Sequence, residues 1–365
     1  MRVIGIYDDH NASAALSVNG EIVCAVQEER FTKRKNEKGF PKNAVQYILD
    51  RYDLSNEDID IVAMSTIERT DLNNLKYPID AVFGVDDHIN MMDKYWKPKL
   101  SGHDFPENYV KQVFEDKFQG EESFYNIPNN YYDLDKELLQ QKNIEVIVND
   151  IASFMNVDRK KIKFYDHHTC HVMYGYFSNP NKKDRTIGIT VDAYGDGRNQ
   201  TVWKIQNNKF ELISESRQCE IARLYRMVTL YLRMKPLEHE FKVMGLAPYA
   251  KESYAEEVEA VFEELLEFDE LKIIHKNRIV EDFMIVDTAY TLECFDLART
   301  STNFLTKVHG IKIAFQNREK KQTLIVSGIL DEAMISCLDS KFITKKIKLL
   351  KTNIPKINEF KMDGF

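Results

Sequence analysis

Paired cysteines, long apolar runs and an excess of basic charge are all missing from this chain. Its five cysteines, Cys24, Cys170, Cys219, Cys294 and Cys337, are odd in number, scattered, and form no CxxC pair. That argues against a disulfide framework or a cysteine-held zinc ion and suits a reducing compartment. The most apolar stretches, such as Ile59 to Met64, are strand-length and fall far short of the roughly twenty residues of a membrane span. No transmembrane helix is expected, and no membrane partner. At the N-terminus Asp8 and Asp9 interrupt the apolar stretch too early for the core of a secretory signal, so the expectation is a cytoplasmic protein opening on a buried strand. The net charge of -8 and the pI near 5.7 lack the basic footprint that nucleic acid demands, and no nucleic-acid partner is expected. The local exception is Lys341 to Lys361, with seven lysines and no arginine, which reads as a solvated end. What is plentiful is core material: 365 residues with 43% hydrophobic content are enough for two domains or one large two-lobed unit.

The chain opens with a strand at Val3 to Tyr7, then Ala12 to Val18, Asn19-Gly20, and Glu21 to Gln27. Asn-Gly between alternating apolar runs is a strong hairpin signal. Asn43 to Tyr52 carries apolar positions at helical spacing, and Ile59 to Ser65 is the next strand. From about Arg69 to Glu145 the periodicity weakens, as expected of an elaboration on a core fold. Regularity returns with a strand at Ile162 to Tyr165, a helix from about His168 to Phe177, and paired strands Thr186 to Asp192 and Gln200 to Ile205. Helices are expected around Ile221 to Arg233 and Ala255 to Phe268. Two strand-plus-hairpin units, at residues 2–28 and 186–216, each place an acidic or small-residue turn after a buried strand. Such paired loops can grip a nucleotide's phosphates from both sides, and the overall pattern is that of an α/β protein.

The sharpest local pattern is Tyr165-Asp166-His167-His168-Thr169-Cys170-His171. If Asp166 caps a helix, His167 and His171 share one face at a spacing that lets two imidazoles chelate one metal ion. The plainer reading is that the histidines polarise a helix start. Position 168 is histidine where HExxH requires glutamate, so a metalloprotease would lack its general base. Asp192 ends an apolar strand and can complete a His/His/Asp set with an open position, suited to Fe(II), Mn(II) or Zn(II). Alternatively, Asp192 and Asp196 form turns around Gly195 and Gly197.

Asp8-Asp9-His10-Asn11-Ala12-Ser13 follows the first strand, with small residues that let a substrate approach. His10 can bind or protonate a phosphate oxygen, or be an exposed turn histidine. Arg30, Lys33 and Arg34 can clamp phosphate or carboxylate, or form a solvated charge run. The segment Glu238 to Ala250, containing Lys242 and Gly245, could close over a nucleotide, although its residue types alone do not justify that reading.

Taken together, these stretches resemble the O-carbamoyltransferases that decorate nodulation factors, cephamycins and aminoglycosides. The resemblance rests on Gly5 to Ala15, Glu28 to Thr32, Gly39-Phe40-Pro41, Asp166 to His171, Asp192 to Gly197, Arg223 to Thr229 and Lys242 to Tyr249, and covers roughly residues 1–270. It implies an actin/Hsp70/sugar-kinase-like fold: a first lobe at 1–185 with an insertion at about 69–145, a second, incomplete lobe at 186–330, and a divergent tail at 331–365. It also implies a transferase acting on carbamoyl phosphate and ATP, through carbamoyl adenylate, to carbamoylate a hydroxyl-bearing acceptor. A divalent metal would be held by His167, His171 and Asp192. His10 would work on carbamoyl phosphate, and the nucleotide or substrate would meet Asn11, Ser13, Arg30, Gly195, Asp196, Gly197, Lys242 and Gly245.

Such enzymes continue through a Val-x-Ser-Gly-Gly adenine loop, a Gly-Asp-x-Gly segment and a second domain. Here Leu324 to Gly328 begins like that loop, Ile329 stands at the second glycine, and no Gly-Asp-x-Gly follows. The expectation is therefore a truncated, split or frame-disrupted member, with a separate C-terminal-domain polypeptide as a partner. The alternatives are a non-catalytic nucleotide-binding remnant and, more distantly, an actin-like sugar kinase, which gives no reason for HxxxH.

Overall fold

The computed structural model describes residues 1–91, 94, 113–121, 123–181, 183–219, 221–247 and 266–275. The chain divides into two units, 1–87 with 104–170, and 88–103 with 171–365.

The first unit opens with β1 (Arg2–Tyr7), β2 (Ser13–Val18) and β3 (Glu21–Gln27), each antiparallel to the next. Asn19 and Gly20 both hold positive φ, 53° and 91°, which matches a tight turn to the twist of β2 and β3. After α1 (Glu29–Thr32) and α2 (Lys42–Arg51) comes β4 (Ile61–Met64), which pairs parallel with β1. The short helices α3 (Leu72–Lys76), α4 (Ile79–Val82) and α5 (Val85–Met91) and the long α6 (Lys136–Met155) precede β5 (Ile162–Phe164), parallel to β4. The sheet order is β3-β2-β1-β4-β5.

Alternation along the strands buries Ile4 and Ile6, Ala14 and Leu16, and Val62 and Met64, while α2 adds Ala44, Val45 and Ile48. Tyr125, Ile127 and Leu139 join the same core, and Phe40 stacks on Phe124 with ring centroids 4.1 Å apart. Helix α6 buries Leu139, Asn143, Ile147, Ile151 and Met155, one residue per turn. Asp135 caps its start by accepting from the Leu138 amide (2.9 Å), and Asn156 ends it with φ 52°. The first half of this helix falls in the stretch, to about Glu145, where the sequence periodicity weakens. The polar Asn143 interrupts the apolar stripe in sequence, while in the fold its Nδ2 donates to the Arg69 carbonyl at 2.6 Å.

Helix α7 (His167–Ser178) leads to β6 (Arg185–Gly195), β7 (Arg198–Gln206) and β8 (Lys209–Ser216), an antiparallel sheet in the order β6-β7-β8. Both strand-plus-hairpin units anticipated from sequence are thus antiparallel meanders. Asp196 and Gly197, at φ 50° and 79°, form the tight β6–β7 turn, and Asn207 and Asn208, at 51° and 59°, form the next. Helices α8 (Ile221–Tyr231) and α9 (Glu240–Leu246) follow, then the hairpin of β9 (Leu266–Asp269) and β10 (Lys272–His275).

The helix expected to reach Phe268 is corrected at its end. Leu266 to Asp269 alternates apolar and acidic residues and runs into Glu270 at φ 53°, so the chain turns back as a hairpin. Residues 255–265, the partial adenine-loop match at Leu324 to Gly328 and the Lys-rich tail lie outside the described residues. Among the described residues no helix is long and apolar enough to cross a membrane.

Candidate metal centre

Because β1, β4 and β5 run parallel, their carboxyl ends share one edge of the first sheet, and side chains leaving that edge fall together. Tyr7 ends β1, Ser65 and Thr66 follow β4, and Tyr165 and Asp166 lead from β5 into α7. The Tyr7 ring lies 5.9 Å from that of His10 and 6.1 Å from that of His167.

Helix α7 starts where the sequence places it. Asp166 Oδ1 accepts from the Thr169 amide and from Thr169 Oγ1, each at 2.8 Å, and the Cys170 amide donates to the Asp166 carbonyl at 3.0 Å. This cap sets the helix phase, putting His167 and His171 one turn apart on one side while His168 is completely buried. His167 Nδ1 sits 3.5 Å from the Thr66 hydroxyl, a contact that orients the ring and turns Nε2 away from Thr66.

Asp192 arrives by a different device. Val191 pairs with Gln200 and Gly195 with Arg198, so Asp192, Ala193 and Tyr194 bulge opposite Asn199 alone. Asn199 is completely buried, and its Oδ1 accepts from the Cys219 amide at 2.9 Å. The bulge takes Asp192 out of the ladder and brings its Oδ2 to 3.4 Å from His171 Nε2. Donor atoms of His167, His171 and Asp192 all lie within 4.8 Å of one another. Two ligands about 2.1 Å from one tetrahedral metal ion stand about 3.4 Å apart, so the His171–Asp192 spacing fits a shared ion. Two imidazoles and a carboxylate, with room for further ligands, suit Fe(II), Mn(II) or Zn(II).

His10 is held from two sides. The Tyr7 hydroxyl lies 3.3 Å from its Nδ1, and its amide donates to Asp9 Oδ1 at 2.7 Å. Lys38, whose side chain is 4% exposed, brings its ammonium to 3.0 Å from the same Asp9 oxygen. Although burial works against the charged form, Lys38 and His10 hold the Asp9 carboxyl well below the usual carboxylate range. Next along the chain, buried Asp8 accepts from Arg69 Nη1 (2.9 Å) and from the Tyr125 hydroxyl (2.6 Å). Burial, reinforced by Asp8, pushes the Tyr125 phenol well above its ordinary value, while Asp8 overcomes burial to raise Arg69.

The remaining candidates lie as follows. Asn11 takes a left-handed conformation (φ 59°) between β1 and β2, and Ser13 begins β2. Arg30 is exposed, its guanidinium 3.5 Å from Gln27 Oε1 and 3.6 Å from Glu29. Arg34 is tied to Glu37 and, at 2.6 Å, to Glu121; hydrogen bonding to Glu37 outweighs its burial and raises it. Gly195, Asp196 and Gly197 make the β6–β7 turn. Lys242 and Gly245 occupy exposed positions on α9, with the Lys242 ammonium 5.9 Å from the Phe241 ring centroid. Sequence reasoning missed Tyr7, Lys38 and Thr66, since nothing local marks them and each matters through a neighbour supplied by the fold.

Comparison with known proteins adds to this geometry. An uncharacterised protein of Synechocystis sp. is 26% identical over 264 residues, 71% of this chain and 35% of that protein. Another from Methanocaldococcus jannaschii is 24% identical over 251 residues, 68% of this chain and 34% of the relative. The nodulation protein NolNO of Sinorhizobium fredii is 20% identical over 258 residues, 71% of this chain and 30% of that protein. The chain spans about a third of the length of these curated relatives. The family described as Carbamoyltransferase N-terminus matches residues 2–319, extending past the roughly 270 residues over which the motifs are legible. A match over most of the chain, enclosing both meanders and all three donors, makes the chain a member of the carbamoyltransferase N-terminus family.

Proposed function

We propose that this chain binds ATP and a divalent metal ion in an O-carbamoyltransferase reaction. The convergence of His167, His171 and Asp192, inside the region matched by the family, is the observation that carries this reading. The two antiparallel meanders support the finer fold reading as well, the duplicated lobes of an actin-like ATPase.

In the proposed chemistry, carbamoyl phosphate is hydrolysed to carbamate and phosphate. A carbamate oxygen then bonds to the α-phosphorus of ATP and pyrophosphate leaves. Finally the acceptor hydroxyl bonds to the carbamoyl carbon, losing its proton as AMP departs. A bound divalent ion supplies positive charge to the phosphate oxygens of the nucleotide. The two imidazoles and the Asp192 carboxylate hold that ion, with Thr66 orienting His167. Tyr7 and Asp9 fix the orientation of His10, which transfers a proton in the carbamoyl phosphate step. Asn11 and Ser13 lie beside it in the chain as substrate contacts, and Arg30, Gly195, Asp196, Gly197, Lys242 and Gly245 are proposed phosphate or nucleotide contacts. The working compartment is the cytoplasm.

The test is mass spectrometry of the products after incubation with ATP, carbamoyl phosphate and Fe(II) or Mn(II). Pyrophosphate and carbamoyl adenylate, both requiring metal and carbamoyl phosphate and both lost in His171→Ala, are expected. ADP as the product, formed without regard to carbamoyl phosphate, would point to a kinase instead.

A further inference from the structure

Helix α7 lies on the second sheet through Val172 and Tyr176, one turn apart, which form a buried cluster with Trp203 and Ile205. Under Val172 is Gly188 of β6. A Cβ at that position would stand 2.4 Å from Val172 Cγ2, 3.3 Å from Ile205 Cδ1 and 3.6 Å from Trp203 Cβ. Carbon atoms settle at about 3.5–4.0 Å, so any side chain here would drive the helix and strand apart by about 1 Å. Val172 cannot easily turn aside, because a β-branched side chain in a helix has one strongly preferred χ1.

The position of this contact matters more than its size. Gly188, Thr190 and Asp192 alternate onto one face of β6, with Thr190 and Asp192 buried, while Ile189 faces the other way and is exposed. Val172 is the residue next to His171. The contact that sets the helix-to-strand distance is therefore one residue from one donor and four from another. Metal ligands tolerate errors of only about 0.2 Å in distance. We propose that Gly188 is a positioning residue for the metal centre: its lack of a side chain lets Val172 seat against β6, and this seating holds His171 beside Asp192. The proposal rests on the metal reading given above.

The experiment is a titration of the full chain with Mn(II), following the free-ion electron paramagnetic resonance signal and monitoring the fold by far-ultraviolet circular dichroism. The proteins are the wild type, Gly188→Ala, Val172→Ala and the double variant. Wild type should bind one ion, and Val172→Ala, which gives up the seating contact without adding a clash, should bind more weakly than wild type but more tightly than Gly188→Ala. Gly188→Ala should bind at least about tenfold more weakly while keeping its helix content. Removing the Val172 methyl groups makes room for the new Cβ, so the double variant should return to within about twofold of Val172→Ala. If Gly188→Ala does not fold, the double variant decides: recovered affinity supports the proposal, and a folded but weakly binding double variant overturns it. Undiminished binding by a folded Gly188→Ala overturns it too, leaving the metal reading intact. A wild type that takes up no Mn(II) overturns both.

Discussion

Asp9 gathers three partners at the end of β1: the His10 amide, the His10 ring and the Lys38 ammonium. A carboxyl whose folded pKa lies below its unfolded value, about 3.9, stabilises the fold above that pH; the contribution is lost as pH falls toward the folded pKa. Replacing Lys38 with methionine, of similar length and apolar, removes the main charge that holds Asp9 ionised. The variant should be less stable than wild type at pH 7, and the gap should narrow at pH 3, where Asp9 in the variant and in both unfolded chains is largely protonated. Urea midpoints at the two pH values measure this, and a gap of constant size would contradict it. The neighbouring Asp8 pair is more deeply buried, with side chains 1% and 4% exposed for Asp8 and Arg69. Arg69→Met leaves the Asp8 carboxylate buried with only the Tyr125 hydroxyl, so a loss of about 3–5 kcal/mol is expected by chemical denaturation. By contrast, removing the exposed Lys142–Glu145 pair should change stability by about 0–1 kcal/mol.

Whole elements are placed by groups distant in sequence. Glu28, 5% exposed, closes the start of α2: its Oε1 accepts from the Asn43 amide and Nδ2, and its Oε2 from the Ala44 amide. Glu28→Ala removes this cap and should cost about 2 kcal/mol in urea denaturation. An unchanged midpoint would show that α2 is held by packing alone. The same elements show how far the sequence could be read. Alternation, Asn19-Gly20 and the Asp166 cap were enough to find β1 to β3 and α7, because those signals act over a few residues. Helix α6 escaped notice because Asn143 sits in its apolar stripe, a polar residue explained only by its bond to the Arg69 carbonyl. That His167 and His171 share one helix face was legible, since HxxxH has fixed spacing. The bulge that frees Asp192 was not, because it depends on the register with β7, and neither was the pairing of the buried Lys38 side chain with Asp9.

Among the described residues, two antiparallel meanders carry chemistry-bearing residues at or just after the ends of their first strands, β1 and β6. His10 follows β1 and Asp192 lies in β6, while α7 brings His167 and His171. The proposed chemistry requires that those three donors form a metal centre. The direct measurement is Mn(II) binding to the full chain, wild type against His171→Ala and Asp192→Asn. His171 has an exposed side chain, 42% accessible, so its loss should leave the fold intact. One ion should bind per wild-type chain and each folded variant should lose affinity by at least about 100-fold, beyond the about 10–100-fold that outer-shell changes cause. Equal binding by wild type and both variants would contradict that requirement.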